Sequence, residues 1–440
     1  KLVFFFTGSG DLAAFDFDGN QVWHRNVEED YGQFAMQWTF SSSPQLVNNI
    51  LYLQVLQRDQ PVNGYGRSDG PINSYLLAMD PATGETKWRH MRDNEAVMES
   101  KEAFSTPIPI TTDTRDELLI VGADCLTGHN PKTGEELWRW STYNPEKIGH
   151  WRLVPTATYG EGMILICGPK GSPVYGIESG GSGDISTSGN VWTSEGKEVT
   201  SDVPSPAFYD GYFYVLNGRN KFITCLHPTT GKFVWSSRID GKTKIESSPT
   251  IVDGKLYFIS HLGEVFVYSA GENGGVMLHT AMFGSSQSVN IRSSIVPANG
   301  TLYIRTDDYL YAVKYRLINS SSEVPQRLIT HPAHGPFDGV VLQRLHFDPR
   351  EVVRLIGHDI TIIFSSLQKK PDIVMKVRWL TLSFWNAVHI QIKDLSADRS
   401  QGPEPRFLDT LLQGHRQQIW IPISMSSWLQ PEVKLGMMSQ

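Results

Sequence analysis

An all-β fold built from repeated four-stranded units is what the sequence predicts, and three observations carry it. A turn signature, Asp/Asn/His-Pro-x-Thr-Gly-(x)3-Trp, recurs at roughly 40–50 residue spacing. It reads Asp80-Pro81-Ala82-Thr83-Gly84 to Trp88, Asn130-Pro131-Lys132-Thr133-Gly134 to Trp138, and His227-Pro228-Thr229-Thr230-Gly231 to Trp235. A looser copy runs from Asp16-Phe17-Asp18-Gly19 to Trp23, and a degenerate one ends at Trp192. Second, a Ser/Thr-Pro step precedes each unit: Ser43-Pro44, Thr106-Pro107, Pro155-Thr156, Ser205-Pro206, Ser248-Pro249 and, without proline, Ser294-Ile295. Third, a short apolar strand follows each step, for example Tyr212-Phe213-Tyr214-Val215 or Leu256-Tyr257-Phe258-Ile259. Four-stranded units at that period are the blades of a β-propeller.

Each unit follows from local chemistry. The apolar stretches before the turns, such as Tyr75-Leu76-Leu77-Ala78-Met79, have strand composition. Proline presets φ for the turn, and glycine supplies a position with φ above zero. A strand carrying Trp follows, so strands C and D form the outer hairpin, and the Trp is expected to pack between neighbouring blades. The chain opens in the middle of a unit. Residues 2–6 read as strand B, 11–16 as strand C and 21–27 as strand D, with no strand A before them. Seven units are countable, and an eighth is left open.

The run Ser247-Ser248-Pro249-Thr250-(x)3-Gly254-Lys255-Leu256-Tyr257-Phe258, followed by a Thr-Gly-(x)3-Trp turn in neighbouring units, resembles the PQQ-like β-propeller repeat. The resemblance covers about residues 1–315. It implies the fold shared by quinoprotein alcohol dehydrogenases and by propeller lipoproteins of outer-membrane protein assembly. It implies little about function, because the motif residues are blade scaffolding.

Composition narrows the classes. The chain has 440 residues, 39 Gly, 25 Pro and 11% aromatics, which suits an all-β chain full of turns. A net charge of −7 without Lys/Arg runs argues against nucleic acid or polybasic membrane attachment. Cys125, Cys167 and Cys225 sit in or beside strands of three units, a spacing that fits buried thiols rather than a disulfide framework. No apolar stretch approaches the ~20 residues of a membrane helix. A missing upstream segment that includes an export signal is expected, with a periplasmic or extracellular location.

After Tyr315 the signature stops. Residues 316–337 read as a polar, proline-containing linker and 338–440 as an appended β-rich module. Its strand candidates are Val340–His346, Asp359–Phe364, Ile373–Leu382, Val388–Ile392 and Gln418–Ile423, with a helix at about Pro405–Gly414 left open. The alternative is that part of this tail completes a blade and closes the ring, which removes free strand edges.

Catalytic signatures are scarce: no phosphate loop, no His-Glu-x-x-His and no Gly-x-Ser-x-Gly. His227 at a turn and His129 beside one are expected to be solvated. In a propeller, strand A lines the channel, and the D–A and B–C loops share one face. The D–A loops supply Gln37 and Trp38; Glu99, Lys101 and Glu102; His150, Trp151 and Arg152; Asp202; Lys242, Lys244 and Glu246; Asn290 and Arg292. The B–C loops add Arg58, Asp59, Asp124, Lys170, Arg219, Asn220, His261, Asp307 and Asp308. Together they predict a polar, partly cationic pocket for an anionic or sugar-like ligand, or a surface for a protein partner. His150 is the catalytic candidate.

The first reading is an exported, non-catalytic binding or scaffold protein needing no cofactor. The second, implied by the resemblance, is a quinoprotein oxidoreductase using PQQ and calcium, with Glu102, Asp124 and Asn290 as calcium candidates. The chain departs from that pattern, since no two cysteines are adjacent and only seven units are counted. A third reading is a polysaccharide lyase or hydrolase using His150, Arg152 and the funnel carboxylates.

Overall fold

The computed structural model describes residues 1–314 except 142, 284–289 and 308, and beyond them only the strands within 360–422. The chain divides into two compact units, Lys1–Ile295 and Val296–Gln440. The first unit holds six consecutive antiparallel sheets in which each strand pairs with the next. Blade one has three strands, Leu2–Phe6, Asp11–Asp16 and Gln21–Asn26. Blade two is Gln45–Val47, Ile50–Val55, Tyr75–Met79 and Thr86–Met91, and blade three is Ile108–Thr111, Asp116–Gly122, Cys125–His129 and Glu136–Trp140. Blade four is Thr158–Gly160, Met163–Cys167, Val174–Glu178 and Asn190–Ser194. Blades five and six run Ala207–Tyr209, Tyr212–Asn217, Phe222–Leu226, Phe233–Arg238 and then Thr250–Val252, Lys255–Ile259, Glu264–Ser269, Met277–Met282. The second unit opens with a seventh sheet, Val296–Ala298, Thr301–Arg305 and Leu310–Lys314. The six sheets of the first unit are consecutive β-propeller blades and the sheet over 296–314 repeats their strand order as a seventh, an all-β fold as expected, with almost no helix among the described residues.

Strand D of blade one ends at Asn26, one residue earlier than expected, because a short α-helix, Val27–Tyr31, begins there. The Asn26 side chain caps it by accepting from the Glu28 and Glu29 amides, and Glu28, Glu29 and Asp30 occupy its first turn. Among the described residues no helix is long and apolar enough to cross a membrane.

The recurring turn has a clear mechanism. In blade two the Gly84 amide donates to the Asp80 carbonyl, the Asp80 side chain accepts from the Ala82 amide, and Gly84 adopts φ +78°. The Asn130 turn repeats this geometry. The C–D pairing slips in register at the same place in six blades, one step beyond a small or slim residue. That residue lies opposite the Trp: Ala14 to Trp23, Ala78 to Trp88, Gly128 to Trp138, Gly176 to Trp192 and Cys225 to Trp235. The ring lies across it, so closely that a Cβ on Gly176 would sit 2.0 Å from Trp192 Cε2.

Four of these rings clasp the following blade. Trp23 Nε1 donates to the Pro81 carbonyl, Trp88 to Pro131, Trp192 to Pro228 and Trp235 to Gly271, at 2.9, 3.2, 2.6 and 2.8 Å. Each ring also rests on the glycine of the turn it reaches: Gly84, Gly134, Gly231 and Gly275. Trp138 is the exception. Its Nε1 donates to the buried Glu117 Oε2 of its own blade at 2.8 Å. The C–D segment of blade four lacks the turn signature and instead lays Gly183–Asp184 parallel to Trp138 and Arg139 as a fifth strand.

A second set of links runs along the strand A starts. The amide of each Ser/Thr step donates to the hydroxyl oxygen of the next: Ser43 N to Thr106 Oγ1, Thr106 to Thr156, Thr156 to Ser205, Ser205 to Ser248 and Ser248 to Ser294, at 2.9–3.2 Å. The hydroxyl at these steps is thus an inter-blade bond.

Blade three carries a buried polar network. Arg92 is buried and donates to Thr127 Oγ1 and the Gly122 and Cys125 carbonyls at 2.9, 3.0 and 3.0 Å, with Cys125 Sγ 3.1 Å away. His129, expected in solvent, is fully buried beside it. Its Nδ1 lies 2.9 Å from the Gly134 carbonyl, which can only accept, so Nδ1 carries the proton and Nε2 faces Thr127 Oγ1 at 2.8 Å. Burial first, then the Arg92 charge, depress His129 to about 3. His227 is exposed, as expected. The three cysteines are free and buried, and desolvation pushes the Cys167 and Cys225 thiols up to about 12.

The second unit also contains the strands Ile360–Phe364, Ile373–Val377 and Leu395–Ala397 in one sheet and Leu380–Phe384, Ala387–Ile392 and Gln418–Pro422 in another. The single strand expected over Ile373–Leu382 is therefore two, in different sheets. The proposed linker 316–337, the candidate strand Val340–His346 and the helix near 405–414 lie outside the described residues.

Two outcomes follow. Trp88→Ala or Trp235→Ala removes a ring, a hydrogen bond and the cover of a turn glycine, and unfolding in urea will show a loss of about 3–5 kcal/mol. Because His129 binds a proton far less readily folded than unfolded, its contribution is intact above the ordinary value of 6.5 and lost as pH falls toward about 3. Stability measured across that window will fall by up to ~1.4 kcal/mol per pH unit from this group, and His129→Gln will flatten that part of the slope.

Candidate functional site

The D–A and B–C loops are tied together by backbone bonds between blades. The Arg58 amide donates to the Ala35 carbonyl, Leu153 to Glu102, Ile245 to Gly218, His261 to Lys244 and Ile291 to His261. Side chains on these loops are therefore held by a zipped framework. They gather into two clusters of different electrostatic character.

The cluster on blades one to four is charge-balanced. Arg58 Nε lies 2.5 Å from Glu102 Oε1, and the Gln37 amide donates to Glu102 Oε2 at 3.1 Å. Arg58 also donates to Gln37 Oε1. Glu102 is fully buried, and desolvation, outweighing Arg58, raises its carboxyl above the ordinary range. Beside it, Arg152 Nη1 meets Glu99 Oε1 at 3.0 Å, and Lys101 meets Asp59 at 3.3 Å. Trp38 Nε1 donates to the same Glu99 Oε1 at 3.1 Å, with Arg152 Cζ 5.6 Å from the Trp38 ring centroid. Trp151 is half-buried, its amide donating to Ser100 Oγ, and His150 is exposed.

Asp124 occupies a strained B–C turn in which Ala123 and Asp124 both take positive φ, +51° and +61°. It is buried, Asn144 Nδ2 donates to its Oδ1 at 2.9 Å, and burial raises its carboxyl. Asn144, which no motif in the sequence singles out, comes from the loop after strand D of the same blade.

The second cluster, from blade six and the loop entering blade seven, is cationic. Glu246 meets three cationic or titratable groups: Lys244 Nζ at 2.6 Å, Arg292 Nε at 2.9 Å and His261 Nε2 at 3.0 Å, the last out of line for a hydrogen bond. Burial alone pushes Glu246 up. The hydrogen bond from Lys244 and the charges of His261, Lys244 and Arg292 outweigh it and hold Glu246 below the ordinary carboxylate range. His261 is buried, and desolvation lowers it in spite of Glu246. The cationic side chains of Lys244 and Arg292 remain 53% and 59% exposed, against 14% for Glu246. Arg219, Asn220 and Asn290 are exposed nearby in sequence order on the same kind of loop. Lys170 offers its amide to Asp202 Oδ1, and the Lys242 amide donates to Glu264.

Of the expected site residues, the structure brings together a Trp38–Glu99–Glu102–Arg152 group and a Lys244–Glu246–His261–Arg292 group and, among the described residues, ties His150, Trp151, Arg219 and Asn290 by side chain to neither. Among the described residues no three His, Cys, Asp or Glu side chains form a metal-binding group. Glu102 does not fit a calcium ligand, since both its oxygens already serve Arg58 and the Gln37 amide.

No curated protein sequence matches the chain significantly. Among solved structures, the chain is similar to BamB from Moraxella catarrhalis, at 15% identity, covering 69% of this chain and 78% of that one, with a TM-score of 0.49. It is similar to a europium-containing methanol dehydrogenase at 13% identity, covering 69% and 70%, also at 0.49. It is similar to the quinohemoprotein alcohol dehydrogenase of Comamonas testosteroni at 11% identity, covering 69% and 61%, at 0.44. Residues 1–172 and 73–317 match the family model described as outer membrane protein assembly factor BamB, and with most of the chain so matched, the protein belongs to this family of PQQ-like repeat β-propellers.

Proposed function

We propose that the protein is an exported binding or scaffold propeller that uses its D–A and B–C loop face to hold an anionic ligand or the acidic surface of a protein partner. One observation carries this reading: a single, mostly covered carboxylate, Glu246, is outnumbered by Lys244, Arg292 and His261, with the two permanent cations half-exposed. A local positive excess on a fixed framework recruits carboxylate, sulfate or phosphate, and the Arg292 guanidinium can meet such a group in a fork. Membership of a family described by an outer-membrane assembly factor supports export and a protein partner.

The quinoprotein reading gains nothing from Glu102, whose carboxylate is committed to Arg58. The lyase or hydrolase reading needs a base with a defined partner, and His150 stands exposed at a loop tip.

Titration with polyglutamate and with polyphosphate tests the proposal. Arg292→Ala and Lys244→Ala will each weaken binding by about 5- to 10-fold, with steep salt dependence and unchanged melting temperature. Protonation of His261 adds a cation, so affinity will rise as pH falls below the ordinary histidine value of about 6.5. His150→Ala will leave binding unchanged. Equal affinity in parent and Arg292→Ala, or no binding of either polyanion, overturns the proposal.

A further inference from the structure

The Trp38 cluster has no place in an anion site. Glu99 and Arg152 neutralise each other, as do Glu102 and Arg58, and Asp59 and Lys101. Yet Trp38 is 63% exposed, an unusual state for the largest apolar side chain. It is nonetheless held in place. Its N–H is fixed to Glu99 Oε1 at the ring edge, and Arg152 Cζ lies 5.6 Å from the ring centroid. Arg152 is itself fixed by the same carboxylate oxygen at 3.0 Å. The indole is thus pinned by two contacts while most of its surface stays open to solvent.

The neighbouring backbone adds to the platform. Met98 takes a left-handed φ of +52°, costly for a long side chain, and is 67% exposed. It crosses Gly149, where a Cβ would come within 3.2 Å of the Met98 sulfur. Trp38 is therefore presented beside a carboxylate and a guanidinium, Glu99 and Arg152, and Met98 stands exposed next to Glu99 in the chain.

We propose that Trp38, Glu99 and Arg152 form a subsite for a neutral sugar ring, separate from the cationic cluster around Glu246. A pyranose has an apolar face of C–H groups that suits an open indole, and equatorial hydroxyls that need one acceptor and one donor at the ring edge. Glu99 supplies the acceptor and Arg152 the donor. The absence of net charge among these ion pairs selects an uncharged glycan rather than a carboxylated or sulfated one.

Isothermal titration of the whole chain with cellohexaose, maltohexaose and chitohexaose tests this. At least one will bind with a salt-insensitive affinity. Trp38→Ala will weaken it about tenfold or more, Trp38→Phe will recover part of the loss, and Glu99→Gln will weaken it with the melting temperature unchanged. The polyanion affinity that depends on Lys244 and Arg292 will stay the same in Trp38→Ala, so the two proposals fail separately. No binding of any of the three sugars, equal binding by Trp38→Ala, or a preference of this surface for unstructured peptides instead of sugars overturns the inference.

Discussion

A single blade of this protein is three or four short strands with two apolar faces, and it cannot bury both by itself. Everything else depends on how one blade closes on the next, and the recurring Trp is the means. It stands opposite Ala14, Ala78, Gly176 or Cys225 in its own blade, and its ring rests on a turn glycine in the following one, with its N–H on that turn's carbonyl. Small residues on both sides let the indole sit between two backbones at van der Waals distance. The turn glycines thus serve twice. They allow positive φ, and they leave room for the ring from the preceding blade.

Blade three shows what happens when that chain of contacts is interrupted. The blade-four segment facing Trp138 carries no Pro-x-Thr-Gly turn, so the indole N–H has no turn carbonyl to reach. Glu117 takes it, with Arg115 on the other carboxylate oxygen at 2.8 Å, and the Gly183–Asp184 strand covers the edge. The same blade buries Arg92 among carbonyls and a hydroxyl. That arrangement spreads the guanidinium charge over several acceptors. The neighbouring His129 resists a second proton first because it is buried and then because Arg92 is already charged beside it. A polar interior of this kind is tolerable only because every Arg92 nitrogen has a partner.

On the loop face the balance between burial and charge decides the character of each region. Glu102 and Glu246 are both carboxylates facing arginine. Glu102 has one cation and full burial, and desolvation wins. Glu246 has two permanent cations, a titratable His261 and partial exposure, and attraction wins. The first is a structural tie between blades. The second leaves surplus positive charge at the surface, which is the physical basis for assigning it to recognition.

The repeat, the outer hairpins and the wedging role of the Trp residues were legible in the sequence, because turn chemistry and strand alternation are local and recur at fixed spacing, while the blade count stayed open between seven and eight. The hydroxyl steps were visible too, as Ser43, Thr106, Thr156, Ser205, Ser248 and Ser294. That the hydroxyls from Thr106 to Ser294 each accept from the preceding step was not, since the partner lies 43 to 63 residues away. Circular symmetry predicts that the loop residues share one face. It could not divide them into a neutral and a cationic group, because that depends on which side chains reach which carboxylate. His129 shows the limit most clearly: beside a polar turn it reads as solvated, and only the packing of Arg92, Thr127 and the Gly134 carbonyl around it puts it in the interior. Periodicity and turn residues fix backbone conformation through short-range sterics, whereas burial and charge pairing are properties of residues distant in sequence, and those only the tertiary structure decided.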